Sequence, residues 1–313
     1  MSWPEAPVVV RVPATSANLG PGFDSLGLAL ALHDVVTARI IGRGLDIAVS
    51  GVGELAAAAG DEHLVIRAMR TGFEALGGQP PGIAISCRNA IPQGYGLGSS
   101  AGAIVAGLLA ARALAPPGAG EEGPGLSDVG ILRLASRLEG HPDNVAACLA
   151  GGLTIAWTSA AGVRTARLAP VPGLTPVVCV PGSPLATAEA RLALPPAIAH
   201  ADAAANSARA ALLIAALTRD PGLLMAGTED FLHQRYRAPA MPATADLIGR
   251  LRTAGIPAVV SGAGPSVLAL TLAGMQPGPD AVRRIAGAAR ASWRVHVLDV
   301  DRDGATVGPQ AQA

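Results

Sequence analysis

The sequence contains no lysine; all 23 of its basic residues are arginine. That absence excludes Schiff-base and pyridoxal-phosphate chemistry, both of which need a lysine amine. It equally excludes a Walker phosphate loop, whose lysine reaches the outer phosphates, and the protein-kinase set with its strand lysine. Only three cysteines occur, Cys87, Cys148 and Cys179. Scattered and odd in number, they build neither a disulfide frame nor a zinc site and read as buried small residues of a reduced, cytosolic protein. Neither sign of charge is in excess, with 23 basic and 23 acidic residues. A nucleic-acid footprint or an anionic-membrane surface would call for a basic surplus, so neither partner is expected. The longest apolar stretch, Ala101 to Ala111, is too short to span a bilayer. The start, MSWPEAPVVV, lacks the basic residues and apolar core of an export signal, so export is not expected. Aromatics make up only 3% of the chain, but half of it is apolar, enough for sizeable cores.

What is present in quantity is glycine, and its placement matters most between Ile91 and Ala111, IPQGYGLGSSAGAIVAGLLAA. Gly94, Gly96 and Gly98 allow positive φ and a close backbone approach to a ligand. Ser99 or Ser100 is a suitable N-cap, and the small apolar run after it has the composition of a buried helix. A glycine-rich loop entering a helix N-terminus sets free N–H groups and the positive dipole end against an anion, most often a phosphate. The expected nucleotide-binding residues are therefore Pro92, Gln93, Gly94, Tyr95, Gly96, Leu97, Gly98, Ser99, Ser100, Ala101 and Gly102. A Rossmann loop fits poorly, because Glu121 and Glu122, at the distance of its ribose acid, fall in a Pro/Gly-rich segment.

At 313 residues, two domains are the prior. Short β-branched runs predict strands at Val8–Val12, Val35–Ile41, Gly82–Cys87 and Leu153–Trp157. Helical patterns cover Leu64–Leu76, Ala101–Leu114 and Ser127–Leu138, and Pro116 to Gly125 reads as a surface loop. A break at Ala169–Gly173 puts the domain boundary near residue 165. Beyond it, strands Thr175–Val180, Ala258–Ser261, Val267–Leu272 and Arg294–Asp299 alternate with helices Ala203–Leu217, Leu223–Leu232, Thr244–Ala254 and Ala281–Ala291. The mixture predicts an α+β class, with a frayed tail from Asp303.

Two more glycine-rich segments flank the first. One is VRVPATSANLGPGFDSLG, from Val10 to Gly27; the other is VVSGAGPSV, from Val259 to Val267. In this order the three segments resemble the three motifs of the galactokinase, homoserine, mevalonate and phosphomevalonate (GHMP) kinase superfamily. The segments Glu139-Gly140-His141-Pro142-Asp143-Asn144 and Thr187-Ala188-Glu189-Ala190-Arg191 resemble its homoserine-phosphorylating branch. The resemblance implies an N-terminal domain like the second domain of ribosomal protein S5, over 1–165, and a ferredoxin-like C-terminal domain over 166–313. It implies ATP and Mg²⁺ as cofactors and L-homoserine as the acceptor, on the route to threonine. It leaves oligomeric state open, a homodimer being one arrangement.

Phosphoryl transfer needs a positioned nucleophile, a metal bridging the phosphates and donors for the developing charge. Glu139 is the candidate metal carboxylate, with Ser100 as its hydroxyl partner as in similar kinases; taken alone, Glu139 would read as a solvated helix end. Asp143 either accepts the substrate hydroxyl proton or orients the hydroxyl, and it also suits an N-cap for a helix Val145–Ala150. Asn144 and His141 stand beside it as catalytic and substrate contacts. Arg191 and Arg237 match the family's carboxylate-binding arginines, a task suited to a guanidinium fork. Asn18 and Asp24 would take the amino group and hydroxyl end, Thr187 lies near the γ-phosphate in similar enzymes, and Gly262 belongs to a turn closing the site. His63 stands where many relatives have an asparagine near the adenine. Rival readings are another kinase of the superfamily, acting on mevalonate or a sugar, and a silent nucleotide-binding sensor.

Overall fold

The computed structural model describes residues 3–53, 60–116 and 126–309. The first sheet begins with β1 (Val8–Ala17) and the long β2 (Leu26–Ile40), followed by β3 (Gly44–Gly51). Helix α1 (Leu64–Ala75) leads to β4 (Gly82–Asn89), and α2 (Ser99–Ala113), α3 (Asp128–Glu139) and α4 (Asp143–Ala150) come before the hairpin β5 (Leu153–Ser159) and β6 (Gly162–Leu168). The strand order is β11-β1-β2-β4-β3, where β11 is Thr306–Pro309; β5 pairs with β2 and with β6. The 15 residues of β2 pair with β1 on one side and divide the other between β5, at Leu26–Leu28, and β4, at Val35–Ile40.

One face of this sheet is covered by helices. α2 is apolar all round, with every residue from Ile104 to Ala111 buried, as expected of a helix surrounded by protein. Small residues let it approach α1: a Cβ on Gly107 would lie 2.5 Å from the Val65 carbonyl oxygen. Ile66, Met69 and Phe73 of α1 then meet Ile104 and Leu108 in one core with Val10, Val12 and Val36 of the sheet.

The second sheet is built from β7 (Leu174–Pro181), β8 (Ala258–Val260), β9 (Val267–Leu272) and β10 (Trp293–Val297) in the order β10-β7-β9-β8, all antiparallel. Between β7 and β8 run α5 (Thr187–Leu192), α6 (His200–Thr218), α7 (Leu224–Gly227), α8 (Gln234–Arg237) and α9 (Pro242–Thr253); α10 (Pro279–Gly287) joins β9 to β10. This βαββαβ path with its first strand beside the fourth is the ferredoxin-like arrangement expected for the second half. Leu247, Leu251 and Val282 pack on Val177, Cys179 and Val267 to make its core. The chain crosses from one sheet to the other between Leu168 and Leu174. The three cysteines are buried and unpaired. Among the described residues no helix is long and apolar enough to cross a membrane.

Several expectations are corrected. The tail is not frayed from Asp303: β11 (Thr306–Pro309) pairs antiparallel with β1, Val8 opposite Pro309. It is led there by Asp301, which accepts from the Asp303 and Gly304 N–H groups and meets His33 Nε2 at 2.5 Å. The helix expected over Leu223–Leu232 ends at Gly227. Thr228 donates to the Leu224 carbonyl at 2.7 Å, and Asp230 accepts from the N–H groups of Leu232, His233 and Gln234, turning the chain. Neither Ser99 nor Ser100 caps α2; the N-cap is Gly98, left-handed at φ 71°. Asp143 is the first residue of α4 instead of its cap. Strands β3 and β6 and helix α5 were not expected at all. Most of the loop expected over Pro116–Gly125 lies outside the described residues.

Candidate active site

A cleft of about 380 Å³ gathers side chains from both halves of the chain. Its glycine-rich wall follows from the backbone. Gly94, Gly96 and Gly98 all have positive φ, and a Cβ on Gly96 would lie 2.1 Å from the Ser261 carbonyl oxygen. The same loop is held to β1 by the Thr15 N–H, which donates to the Leu97 carbonyl at 3.0 Å. Gly98 brings no capping side chain to α2, and the first intrahelical bond runs from the Gly102 N–H to the Gly98 carbonyl. The N–H groups of Ser99, Ser100 and Ala101 therefore lack helical acceptors at the positive end of a dipole, the arrangement that favours an anion.

Facing this terminus, Ser100 Oγ donates to Glu139 Oε1 at 2.6 Å. Glu139 ends α3, and burial raises its pKa, opposed by the Ser100 hydrogen bond. Gly140, left-handed at φ 90°, stops α3 and turns the chain into His141. His141 Nδ1 lies 2.6 Å from Asp143 Oδ1, which also accepts from the Asn144 N–H at 2.8 Å. Burial works against an imidazolium at His141, but the hydrogen bond and charge of Asp143 outweigh it and the pKa is raised. Asp143 is buried, and Asn144 Oδ1 is fixed by Thr15 Oγ1 at 2.7 Å.

The loop after β1 supplies the remaining wall. Asn18 and Asp24 are left-handed, at φ 67° and 52°, conformations that Asn and Asp tolerate better than other side chains. Asn18 accepts from the Asp24 N–H and donates to the Gly262 carbonyl at 2.8 Å, joining the first and third glycine-rich segments. Arg191 grips Asp24 through both nitrogens, at 2.7 and 3.1 Å. This bond, above all, raises the Arg191 pKa. Arg237 is buried, its Nε on the Ala190 carbonyl, and burial lowers its pKa, followed by the charge of Arg191. Both guanidinium groups lie over the Phe23 ring, 5.8 and 5.4 Å from its centroid.

Of the residues expected in the site, Asn18, Asp24, His63, Pro92, Gln93, Gly94, Gly96, Leu97, Gly98, Ser99, Ser100, Gly102, Glu139, His141, Asp143, Asn144, Arg191, Arg237 and Gly262 line the cleft. Two do not. Tyr95, between two left-handed glycines, turns to the Gly182 carbonyl and packs on the second apolar cluster, and the Ala101 side chain is fully buried in the core. Thr187 opens α5, but its side chain lies outside the described residues. Asp34, Cys87 and Asn89 line the cleft without having been expected there. Asp34, a lone acid inside an apolar strand run, accepts from the Ala90 and Ile91 N–H groups at 2.7 and 2.9 Å and so sets the start of the glycine-rich loop. That isolated charge was the available signal. His63 shares the cleft with Val36, Leu64, Val65 and Cys87; its Nδ1 is buried without a partner among the described residues, and burial lowers its pKa.

An anion-binding helix terminus, a hydroxyl–carboxylate pair beside it and a carboxylate-and-arginine pocket in the same cleft define a small-molecule phosphotransferase. The GHMP kinases N terminal domain matches residues 63–152 and the GHMP kinases C terminal domain matches 209–295. The chain belongs to the GHMP kinase family. Its full-length relatives are more particular. Homoserine kinase of Streptomyces coelicolor is 52% identical, with 98% of this chain and 96% of that protein covered. Homoserine kinase of Leifsonia xyli is 48% identical, covering 96% and 91%. The crystal structure of homoserine kinase from Cytophaga hutchinsonii superposes with a TM-score of 0.82 at 28% identity, covering 98% and 99%.

Proposed function

We propose that this protein transfers the γ-phosphoryl group of ATP to the side-chain hydroxyl of L-homoserine, giving O-phospho-L-homoserine and ADP. The carrying observation is the meeting, in one cleft, of the uncapped α2 terminus with two guanidinium groups stacked on Phe23. The α2 terminus and the three left-handed glycines receive the phosphates through backbone N–H groups. The apolar wall of Val36, Leu64 and Val65 suits a planar base, with His63 at its edge.

Ser100 and Glu139 would hold Mg²⁺: both offer hard oxygen donors, which that ion requires, and few protein ligands suffice beside phosphate and water. When bound, the ion neutralises charge building on the phosphate oxygens. Arg191 and Arg237 bind the homoserine carboxylate. For Arg191 this means exchanging the Asp24 carboxylate for that of the substrate, which frees Asp24 to meet the ammonium group together with Asn18. Asp143 has Oδ1 occupied by His141 and the Asn144 N–H, leaving Oδ2 for the acceptor hydroxyl. We assign it orientation of that hydroxyl, whose oxygen bonds to phosphorus as the bond to ADP breaks; its proton passes late to a phosphate oxygen or to water, as a loose transition state permits. A place on the threonine route, a cytoplasmic location and a division into two kinase domains near residue 165 belong to the same reading.

Coupled ADP release with Mg-ATP against L-homoserine, L-threonine, mevalonate and galactose tests it. Turnover with homoserine alone is expected. Turnover with mevalonate or galactose instead would discard the acceptor, and nucleotide binding without any turnover would leave a sensor.

A further inference from the structure

His233 is absent from the reaction as derived so far, yet it is fully buried and hydrogen-bonded both to Arg237 and to the loop of Asn18 and Asp24. Its Nδ1 lies 3.0 Å from Arg237 Nη1, and its Nε2 lies 2.9 Å from the Gly20 carbonyl oxygen. A guanidinium has only donors, so Nδ1 must be the acceptor; a carbonyl only accepts, so Nε2 must carry the proton. Both partners thus dictate one neutral tautomer. Gly20 sits at φ 87° inside the loop that carries Asn18 and Asp24, and the Phe23 ring of that loop packs 5.3 Å from the imidazole.

We propose that His233 is a positioning residue that locks Arg237 to the loop of Asn18 and Asp24, so that the carboxylate and ammonium contacts of the acceptor are held at a fixed spacing. The inference rests on the acceptor reading above. Arg237 needs such a guide, since its Nε is committed to the Ala190 carbonyl and only the fork end can be aimed. Other charged groups facing the imidazole are Asp230, whose Oδ1 is 3.8 Å from Nε2, and Asp24. The Asp230 carboxylate is already taken by three backbone N–H groups, so it does not compete for the ring as a primary partner. Burial, first of all, keeps the imidazole below its ordinary pKa.

Two measurements test this. In the unsubstituted protein, ¹⁵N-edited NMR of the histidine side chains at pH 7 should show His233 as the neutral Nε2–H tautomer. An Nδ1–H tautomer or an imidazolium would overturn the proposal. In steady-state assays, His233→Gln, which cannot present an acceptor at the Nδ1 position, should raise KM for L-homoserine roughly tenfold or more, the scale of one charge-assisted hydrogen bond. KM for ATP should stay within about twofold, since no nucleotide contact is touched. His233→Asn, whose Oδ1 can replace Nδ1 but which leaves the Gly20 carbonyl unpaired, should recover part of the homoserine KM. Equal losses for both substrates, or no rescue by asparagine, would refute positioning. Failure of the parent enzyme to use homoserine would instead refute the acceptor reading and leave the tautomer result standing.

Discussion

Substituting Gly98 by alanine examines the loop at its tightest point. The added Cβ would stand 1.9 Å from Thr15 Oγ1 and 3.1 Å from Asn144 Oδ1. Three costs follow. A left-handed conformation costs a non-glycine residue about 1–2 kcal/mol. The overlap cannot be relieved by moving Thr15, which is fully buried on β1 and tied through its N–H to Leu97. The 2.7 Å bond from Thr15 to Asn144 is therefore disrupted, leaving a buried group unpaired at about 1–3 kcal/mol. Together these put Gly98→Ala at roughly 3 kcal/mol of lost stability, with a higher KM for ATP because the α2 terminus shifts. Thr15→Ala alone loses the same hydrogen bond, about 1–3 kcal/mol. With Oγ1 gone, the nearest atom of residue 15 is its Cβ, 3.2 Å away. The double variant should then lose no more than Gly98→Ala alone, about 3 kcal/mol, against an additive sum of roughly 4–6 kcal/mol, because one bond is lost once and the overlap is gone. Urea unfolding followed by tryptophan fluorescence gives all four values of the cycle. An additive double variant, or a Gly98→Ala protein within about 0.5 kcal/mol of the parent, would refute the steric account.

Arg191→Ala should raise the homoserine KM by roughly a hundredfold, the loss of a bidentate ion pair, and leave the ATP KM near its parent value; equal changes in both would remove the carboxylate role. Glu139→Gln should lower kcat and blunt the magnesium titration, while thermal unfolding without metal stays unchanged or improves, because glutamine still accepts from Ser100 and carries no buried charge; parent-like kcat would take Glu139 out of the metal shell. Asp301 has its pKa lowered: burial opposes this, but the His33 hydrogen bond and two backbone N–H groups prevail. A depressed carboxyl contributes stability that is present above the unfolded value and lost as pH falls through the folded one. Asp301→Asn should therefore cost stability at pH 7, and the difference should close in acid below the ordinary aspartate range; a difference independent of pH would show that Asp301 does not act through its charge.

The parts of this site legible in the sequence were those whose backbone permits few alternatives. Gly94, Gly96 and Gly98 announced left-handed positions, which glycine adopts without strain, and all three have positive φ. The cap of α2 was misjudged for the same reason: serine is the better cap in a bare helix, but here Gly98 leaves the terminus open to a ligand. Strand β11 left no local mark, since Thr306–Pro309, four residues ending in Gly308 and Pro309, is a strand only through pairing with residues at the opposite end of the chain. Edge strand β3 was legible and overlooked: Leu45, Ile47 and Val49 recur at every second position and pack against the first core, with exposed residues between them. The α7 stop depends on a threonine hydroxyl and on Asp230 collecting three N–H groups, which is turn chemistry that an apolar periodicity does not register. The Arg191–Asp24 grip joins two motifs that could each be read, but their pairing is a product of the fold.

The pairing of β11 with β1, and of the Gly262 N–H with the Ala17 carbonyl, sets a timetable for synthesis. At about 5–20 residues per second, the first strand leaves the ribosome roughly 15–60 s before its last partner exists. Throughout that interval one edge of β1, with Val8 and Val10, has no neighbour, and until its last few seconds the cleft lacks the Gly262 turn that closes it. A chain released early would carry every glycine-rich loop but the last and still have no acceptor pocket. Translation past the third glycine-rich segment is the step that completes this site, and the waiting edge is where a nascent chain most needs shielding from its neighbours.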